Sequence, residues 1–266
     1  MTKKETALIT GATSGIGYDC AVILAERGYD LFLASRNRSS LESIKAAFEP
    51  QYGVAVEIMP VDLSKTGSAQ QVFDHAAQRD LEVAVLINNA GFGVHGAHVD
   101  LPLDAVSAML HLNINTLTEL CTLFGKAMQA RGKGHILNVA STAAYQPVPY
   151  LAAYSATKSY VLQFSEALAK EMEDDDVVVT CLSPGPTQTG FFEASGIGDR
   201  QKGVWANQAR MPSEIVAKIG IDALFDKKLS VVAGRTNAIM AFSNRFAPRR
   251  MVAAVSKKIV QRSLGI

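Results

Sequence analysis

Short runs of β-branched and aliphatic residues alternate along this chain with longer stretches whose apolar residues recur at helical spacing. The first pattern predicts strands over 6–10, 30–34, 54–59, 83–87, 134–140, 177–182 and, more briefly, 230–232. The second predicts helices over 16–27, 39–49, 71–77, 104–130, 150–173 and 213–225. The early strands lack polar alternation, as expected when helices cover both faces of a sheet. Strand and helix in strict alternation predict an α/β fold, a doubly wound Rossmann-like parallel sheet flanked by helices. No repeat, low-complexity tract or Pro/Ser-rich linker divides the 266 residues, so a single nucleotide-binding domain over 1–266 is expected.

Composition narrows the class. With 48% hydrophobic and 19% charged residues the chain is far from the disordered regime. Cys20, Cys121 and Cys181 lie far apart, with no CxxC or histidine spacing, and read as small buried residues rather than a metal or redox site. The N-terminal Met-Thr-Lys-Lys-Glu leads into an apolar run at Ala7 without a signal-peptide core, and no stretch approaches the ~20 apolar residues of a membrane span. A cytoplasmic protein is the expectation. Net charge is +1 but unevenly spread: the last forty residues, with no acid after Asp226, carry +9, and the first 226 carry −8.

Thr10-Gly11-Ala12-Thr13-Ser14-Gly15-Ile16-Gly17 joins the first predicted strand to the first helix. A backbone that bends sharply and approaches a pyrophosphate requires glycine, because a Cβ would occupy the phosphate's place. The helix start then turns its unpaired N–H groups and positive dipole end toward the phosphates. At the tip of the second strand an acid would bind a ribose 2′-hydroxyl and repel a 2′-phosphate. Here the tip reads Ser35-Arg36-Asn37-Arg38, with no acid and two guanidinium groups. NADP(H) is therefore expected over NAD(H), with Arg36 as main phosphate ligand and Ser35 or Arg38 assisting. Asp62, after the third strand, is a candidate for the adenine amine or for capping the next helix. Asn88-Asn89-Ala90-Gly91 closes the fourth strand, where small residues let a nucleotide lie close to the backbone.

Tyr154 and Lys158 stand four residues apart in a helical pattern and share one face. Carbonyl reduction needs an acid beside the developing alkoxide, and alcohol oxidation needs its conjugate base there. Free tyrosine, with a pKa near ~10, is a poor base, and lowering it by about 3 units requires roughly 4 kcal/mol. An ammonium about 4 Å away supplies that at an effective dielectric near ~20. Ser141 closes the fifth strand, positioned to donate to the substrate oxygen. Asn113 in the long helix is a candidate to hold a proton-relay water, with Asn115 competing.

These residues together resemble the single-domain short-chain dehydrogenase/reductase family: the glycine loop, Asn88–Gly91, Asn113, Ser141, Tyr154, Lys158 and Pro184-Gly185 occur in order, with thirteen residues from Ser141 to Tyr154. The resemblance spans nearly the whole chain. It implies Tyr154 as acid/base, Lys158 binding the nicotinamide ribose and depressing the tyrosine pKa, Ser141 polarising the carbonyl and Asn113 supporting the relay. Pro184, Gly185, Thr187 and Thr189 would hold the nicotinamide end. Many NADP-preferring members carry a basic residue where Ser14 stands, so the NADP expectation rests on Arg36 and the missing acid. Epimerisation or dehydration on this scaffold, and cofactor sensing without turnover, are the alternatives; sensors commonly lack the tyrosine or lysine.

Residues 190–212 correspond to the family's variable substrate lid, and Phe191, Phe192, Trp205 and Met211 there predict an apolar cover for a hydrophobic ketone or aldehyde. Tyr145, Gln146 and Pro147 are further candidates for the substrate pocket. In the basic C-terminal segment, 245–264, Val252, Val255, Ile259 and Val260 recur at near-helical spacing with cations between them. Such a helix fits an anionic membrane surface, packing on the protein, or a subunit contact. Nucleic acid is not an expected partner, since no recognition motif accompanies the charge. A homo-oligomer is the family's default.

Overall fold

The computed structural model describes residues 4–189 and 210–264. Its centre is a seven-stranded, all-parallel sheet in the order β3-β2-β1-β4-β5-β6-β9. The strands are β1 (Thr6–Thr10), β2 (Asp30–Ser35), β3 (Val56–Pro60), β4 (Val83–Asn88), β5 (Gly134–Val139), β6 (Val177–Ser183) and β9 (Ser230–Val232). Helices α1 (Gly15–Glu26), α2 (Arg38–Tyr52), α3 (Ser68–Gln78), α4 (Leu103–Leu110), α5 (Leu117–Arg131), α6 (Ala152–Glu171) and α7 (Ser213–Phe225) connect them. Residues of β1 and β4 are buried throughout, which is why their sequences run apolar without alternation. The strand order reverses between β1 and β4, opening a crevice at their carboxyl ends. A two-stranded parallel ribbon, β7 (Thr187–Gln188) with β8 (Met211–Pro212), lies outside the sheet.

Element order agrees with expectation, and the differences have local causes. Helix α2 runs past Pro50 to Tyr52 and ends only at Gly53, whose φ of 65° takes the left-handed conformation that stops a helix. The single helix expected over 104–130 is interrupted by a π-helical turn, His111–Thr116, between α4 and α5. That turn brings Asn113 and Thr116 inward, both buried, and leaves Asn115 exposed. Helix α8 (Arg235–Ser243) has no counterpart among the expected elements, because of its residues only Ala241 is buried and no apolar stripe marks a core face. Helix α9 (Arg249–Leu264) packs back on the protein: Val260 is buried with Val148 and Leu151, and Gln261 Nε2 donates to the Tyr150 hydroxyl at 3.0 Å.

A buried polar network pins the sheet beneath the crevice. Asn88 and Asn138 are register partners on β4 and β5, and Asn88 Nδ2 donates to Asn138 Oδ1 at 2.9 Å. Asn138 Nδ2 donates to Ser165 Oγ on α6 at 2.9 Å, and Ser165 donates onward to Val161 O at 2.6 Å. The next residues along β4 and β5 are Asn89 and Val139, which enter the site directly. Removing one partner here strands buried donors and acceptors, so Asn138→Ala is expected to lower the unfolding free energy by about 2–3 kcal/mol, read from the urea midpoint at unchanged m-value. A loss of only a few tenths would show that the network carries no stability.

Candidate active site

A cavity of about 410 Å³ occupies the crevice at the switch between β1 and β4. Gly11, Thr13, Ser14 and Ile16 line it from the first loop, Ser35 and Arg36 from the end of β2, and Asp62 from beyond β3. Asn89, Ala90 and Gly91 line it further, as do Ser141, Tyr154 and Lys158. Pro184, Gly185, Thr187 and Thr189 close one side. Val148, Leu151, Ile259 and Val260 supply apolar lining, and three of them, Val148, Leu151 and Val260, cluster with Tyr154.

The loop after β1 is held by side chains of its neighbours. Asn89 Nδ2 donates to the carbonyls of Thr10 and Gly11 at 3.0 and 3.2 Å. The amides of Asn89 and Ala90 both donate to Thr10 Oγ1 at 3.0 Å. A Cβ on Gly17 would collide with Asn89 Nδ2 and the Gly11 carbonyl, so glycine there serves packing and not contact with the cavity. Gly15 has a φ of 55°, and a Cβ on it would meet Thr189 at 2.6 Å. Neither Gly15 nor Gly17 lines the cavity; both let the loop close under it. The first turn of α1 has no acidic residue and Ser14 makes no side-chain cap, so its N–H groups and dipole end remain for an anionic ligand. These features fit a dinucleotide pyrophosphate.

At the end of β2 the two arginines part. Arg36 lines the cavity, whereas Arg38, the first residue of α2, is outside the lining and lies 3.7 Å from Glu42 in an exposed pair. Ser35 Oγ lies 3.1 Å from Thr13 Oγ1, joining the two loops. Asp62 caps the turn that follows it, accepting from the Ser64 amide at 3.0 Å and the Ser64 hydroxyl at 2.7 Å, and does not cap α3, which begins after Gly67. Burial opposes its charge, but the Ser64 bonds, Lys65 and Arg36 outweigh it and hold the carboxyl below its usual range.

Tyr154 and Lys158 share one face of α6, as their spacing predicts. Burial pushes the Tyr154 phenol up to about 12, and the hydrogen bond with Ser141 offsets only part of that rise. Lys158 Nζ lies 5.9 Å from the Tyr154 ring centroid and donates to the Val139 carbonyl at 2.8 Å. Burial brings Lys158 itself down to about 8. Ser141 caps the short turn Thr142–Tyr145, accepting from the Ala143 amide at 3.1 Å.

Asn113 stands behind the cavity wall, and Asn115 points away on the exposed face with its amide 3.4 Å from His111 Nδ1. Asn113 Nδ2 donates to Phe92 O at 3.0 Å and Thr157 Oγ1 at 3.1 Å, and its Oδ1 accepts from Phe92 N at 3.3 Å. These bonds clamp the segment after Gly91. Tyr145 is not part of the cavity lining: its hydroxyl turns toward Ser183 Oγ at 3.4 Å and its ring packs in the core. Pro147 is not in the lining either, while Gln146 is. Phe191, Phe192 and Trp205 lie outside the described residues; Met211 packs against Gly234 and the core instead of the cavity. Sequence reasoning gave no role to the Thr10 hydroxyl, which is the hub of the loop, and no cavity role to Ser256, Ile259 and Val260 of α9. Thr10 directly precedes the glycine loop, a signal that was present; nothing in the α9 pattern says which surface its apolar stripe meets. The three cysteines are buried, with thiol pKa values raised by burial.

Known proteins are similar to this chain in sequence and fold. A family model described as short chain dehydrogenase matches residues 5–198. The 17-beta-hydroxysteroid dehydrogenase type 3 of Homo sapiens is 34% identical over 191 residues, covering 70% of this chain and 60% of that protein. This chain thus spans less than two thirds of that relative's length. The NADP-dependent 3-hydroxy acid dehydrogenase of Schizosaccharomyces pombe is 32% identical over 233 residues, 86% of this chain and 90% of its own. A short-chain dehydrogenase from Sphingobium yanoikuyae, solved in complex with NADPH, superposes with a TM-score of 0.79 at 28% identity over 91% of this chain and 94% of that one. With the family model covering most of the chain and the fold shared nearly end to end, this protein belongs to the short-chain dehydrogenase family of nucleotide-dependent oxidoreductases.

Proposed function

We propose that this protein transfers a hydride between NADP(H), in preference to NAD(H), and the carbonyl or carbinol carbon of a hydrophobic ketone, aldehyde or alcohol. The observation that carries the reading is Tyr154, bonded to Ser141 and one helical turn from buried Lys158, in a cavity lined both by the glycine loop and by the apolar side chains of Val148, Leu151 and Val260. Arg36 in the lining, with no acid on the tip of β2, supports NADP(H). So do the NADPH-bound neighbour and the relative named NADP-dependent. The apolar lining and relatives named for a hydroxysteroid and for a very-long-chain 3-oxoacyl-CoA support a hydrophobic substrate.

A nicotinamide cofactor bound here supplies the hydride in reduction and takes it in oxidation. The chain's own residues handle the oxygen. Ser141 and Tyr154 hydrogen-bond the carbonyl oxygen, and as that oxygen becomes an alkoxide the Tyr154 proton moves to it. The Lys158 ammonium stabilises the phenolate left behind and returns a proton to it. Asn113 Oδ1 and Lys158 Nζ flank Gly91, 3.1 and 3.5 Å from where its Cβ would stand, so Asn113 adjoins the return path. Burial raises the phenol pKa, which favours the protonated form from which the reductive direction starts.

Three measurements test the proposal. Arg36→Ala should lose tenfold or more of the NADPH-over-NADH preference in kcat/KM, about 1.4 kcal/mol or more; an unchanged ratio would refute the phosphate clamp. Tyr154→Phe should cut the turnover of hydrophobic ketones by about two to four orders of magnitude, and near-normal turnover would remove Tyr154 from the chemistry. Lys158 loses its charge as pH rises through about 8, so kcat/KM for reduction should be flat below that pH and fall above it. In Lys158→Arg the cation persists, and the descending limb should move to distinctly higher pH; a limb that stays in place would show that another group titrates.

A further inference from the structure

Among the described residues thirteen large apolar side chains are exposed, and seven of them fall within 239–259. On α9, Met251, Val255 and Ile259 stand at four-residue spacing and form one outward stripe, each about half exposed at 54%, 52% and 51%. The neighbouring stripe, Val252, Ser256 and Val260, turns inward. On α8 and just beyond it, Ile239, Phe242 and Phe246 are 69%, 56% and 78% exposed, with the two phenylalanine rings 5.3 Å apart. Both helices are fastened to the same segment: Asn244 Nδ2 donates to Gln146 Oε1 at 3.0 Å, and Gln261 Nε2 to the Tyr150 hydroxyl at 3.0 Å. The α9 stripe therefore adjoins the cavity, whose lining includes Ser256 and Ile259, and α8 is tied next to it through Gln146, a further lining residue.

The charge of this region has one sign. Seven cations lie between Arg235 and Arg262 and no acid accompanies them. Among the described residues none of these cations takes part in an ion pair. Arg245 lies over the exposed ring of Phe242, 5.6 Å from its centroid.

We propose that the outer face of α8 and α9 docks on an anionic lipid bilayer, holding the cavity mouth against it. Exposed phenylalanine, methionine and aliphatic side chains interleaved with cations match the two components of an interfacial membrane site, apolar insertion and attraction to acidic headgroups. A second copy of the chain is a poor match, because a two-fold contact sets each patch of seven cations against the same seven. Attachment is peripheral in this region: no helix of the described residues is long and apolar enough to cross a membrane. Docking leads an apolar ketone from the lipid to Tyr154 without crossing bulk water. That consequence rests on the carbonyl-reductase reading; the docking itself does not.

The test is flotation of the whole protein with phosphatidylcholine vesicles, with and without phosphatidylserine. Wild type is expected to float with the serine-lipid vesicles, about tenfold or more tighter than with the neutral ones, and to be released as ionic strength rises. Phe242→Ser with Phe246→Ser, and separately Arg249→Glu with Arg250→Glu, should each lose that binding. None of these four residues lines the cavity, so vesicle-free turnover of a water-soluble ketone should stay within about twofold of wild type. The proposal is overturned if wild type ignores acidic vesicles, or if both double variants bind as wild type does. It is also overturned if wild type sediments as a dimer that Phe242→Ser with Phe246→Ser dissociates, since a second copy then covers the face. Vesicle binding without turnover by any form leaves docking standing and refutes the carbonyl reading.

Discussion

The nucleotide site depends on the tie between the carboxyl ends of β1 and β4. These strands are neighbours only because the order of the sheet reverses there, and at that point nothing in the ladder itself joins the loops above them. Thr10 and Asn89 supply the join. One hydroxyl accepts from two consecutive amides and donates to the Ile87 carbonyl at 3.2 Å, while one carboxamide bridges two consecutive carbonyls of the opposite loop. The glycine loop is thereby fixed in height above the sheet. Gly17 is the consequence of that fixation: the carboxamide occupies the space that any larger residue would need.

A second constraint is burial around Tyr154 and Lys158. Enclosure disfavours charge on both Tyr154 and Lys158, raising the phenol and lowering the ammonium, so the two are driven toward neutrality from opposite sides. The Val139 carbonyl holds Nζ in place, and Val139 follows Asn138, the centre of the polar network linking β4, β5 and α6. Helix α6 thus presents the pair, and the sheet sets its depth. The π-helical turn at His111–Thr116 does comparable work on the other wall, turning Asn113 inward to grip the backbone of Phe92.

The C-terminal helix unites features that looked separate. Its inward stripe contributes to the cavity lining, its outward stripe continues as exposed surface, and its cations account for much of the +9 carried by the last forty residues. Under the proposed function one helix shapes the space for a hydrophobic substrate and also sets the surface from which that substrate comes.

The sequence by itself determined the doubly wound sheet, and it singled out residues of the glycine loop, Arg36 and the Ser141–Tyr154–Lys158 set, which the fold brings to one cavity. These are legible because strand and helix periodicities are local, and because a turn beside a phosphate or a pair on one helix face is specified within a few residues. Tertiary structure alone decided the rest. Arg38 stands outside the cavity lining and Tyr145 packs in the core, because side-chain direction is set by the neighbours that the fold brings up and not by sequence position. The choice of Asn113 over Asn115 required the π turn, whose one-residue slip leaves no mark in the apolar pattern. The tyrosine's raised pKa required knowing how completely the fold encloses it. Helix α9 showed an amphipathic stripe in sequence, but only packing could name its partner, because the hydrophobic effect drives burial without specifying against what.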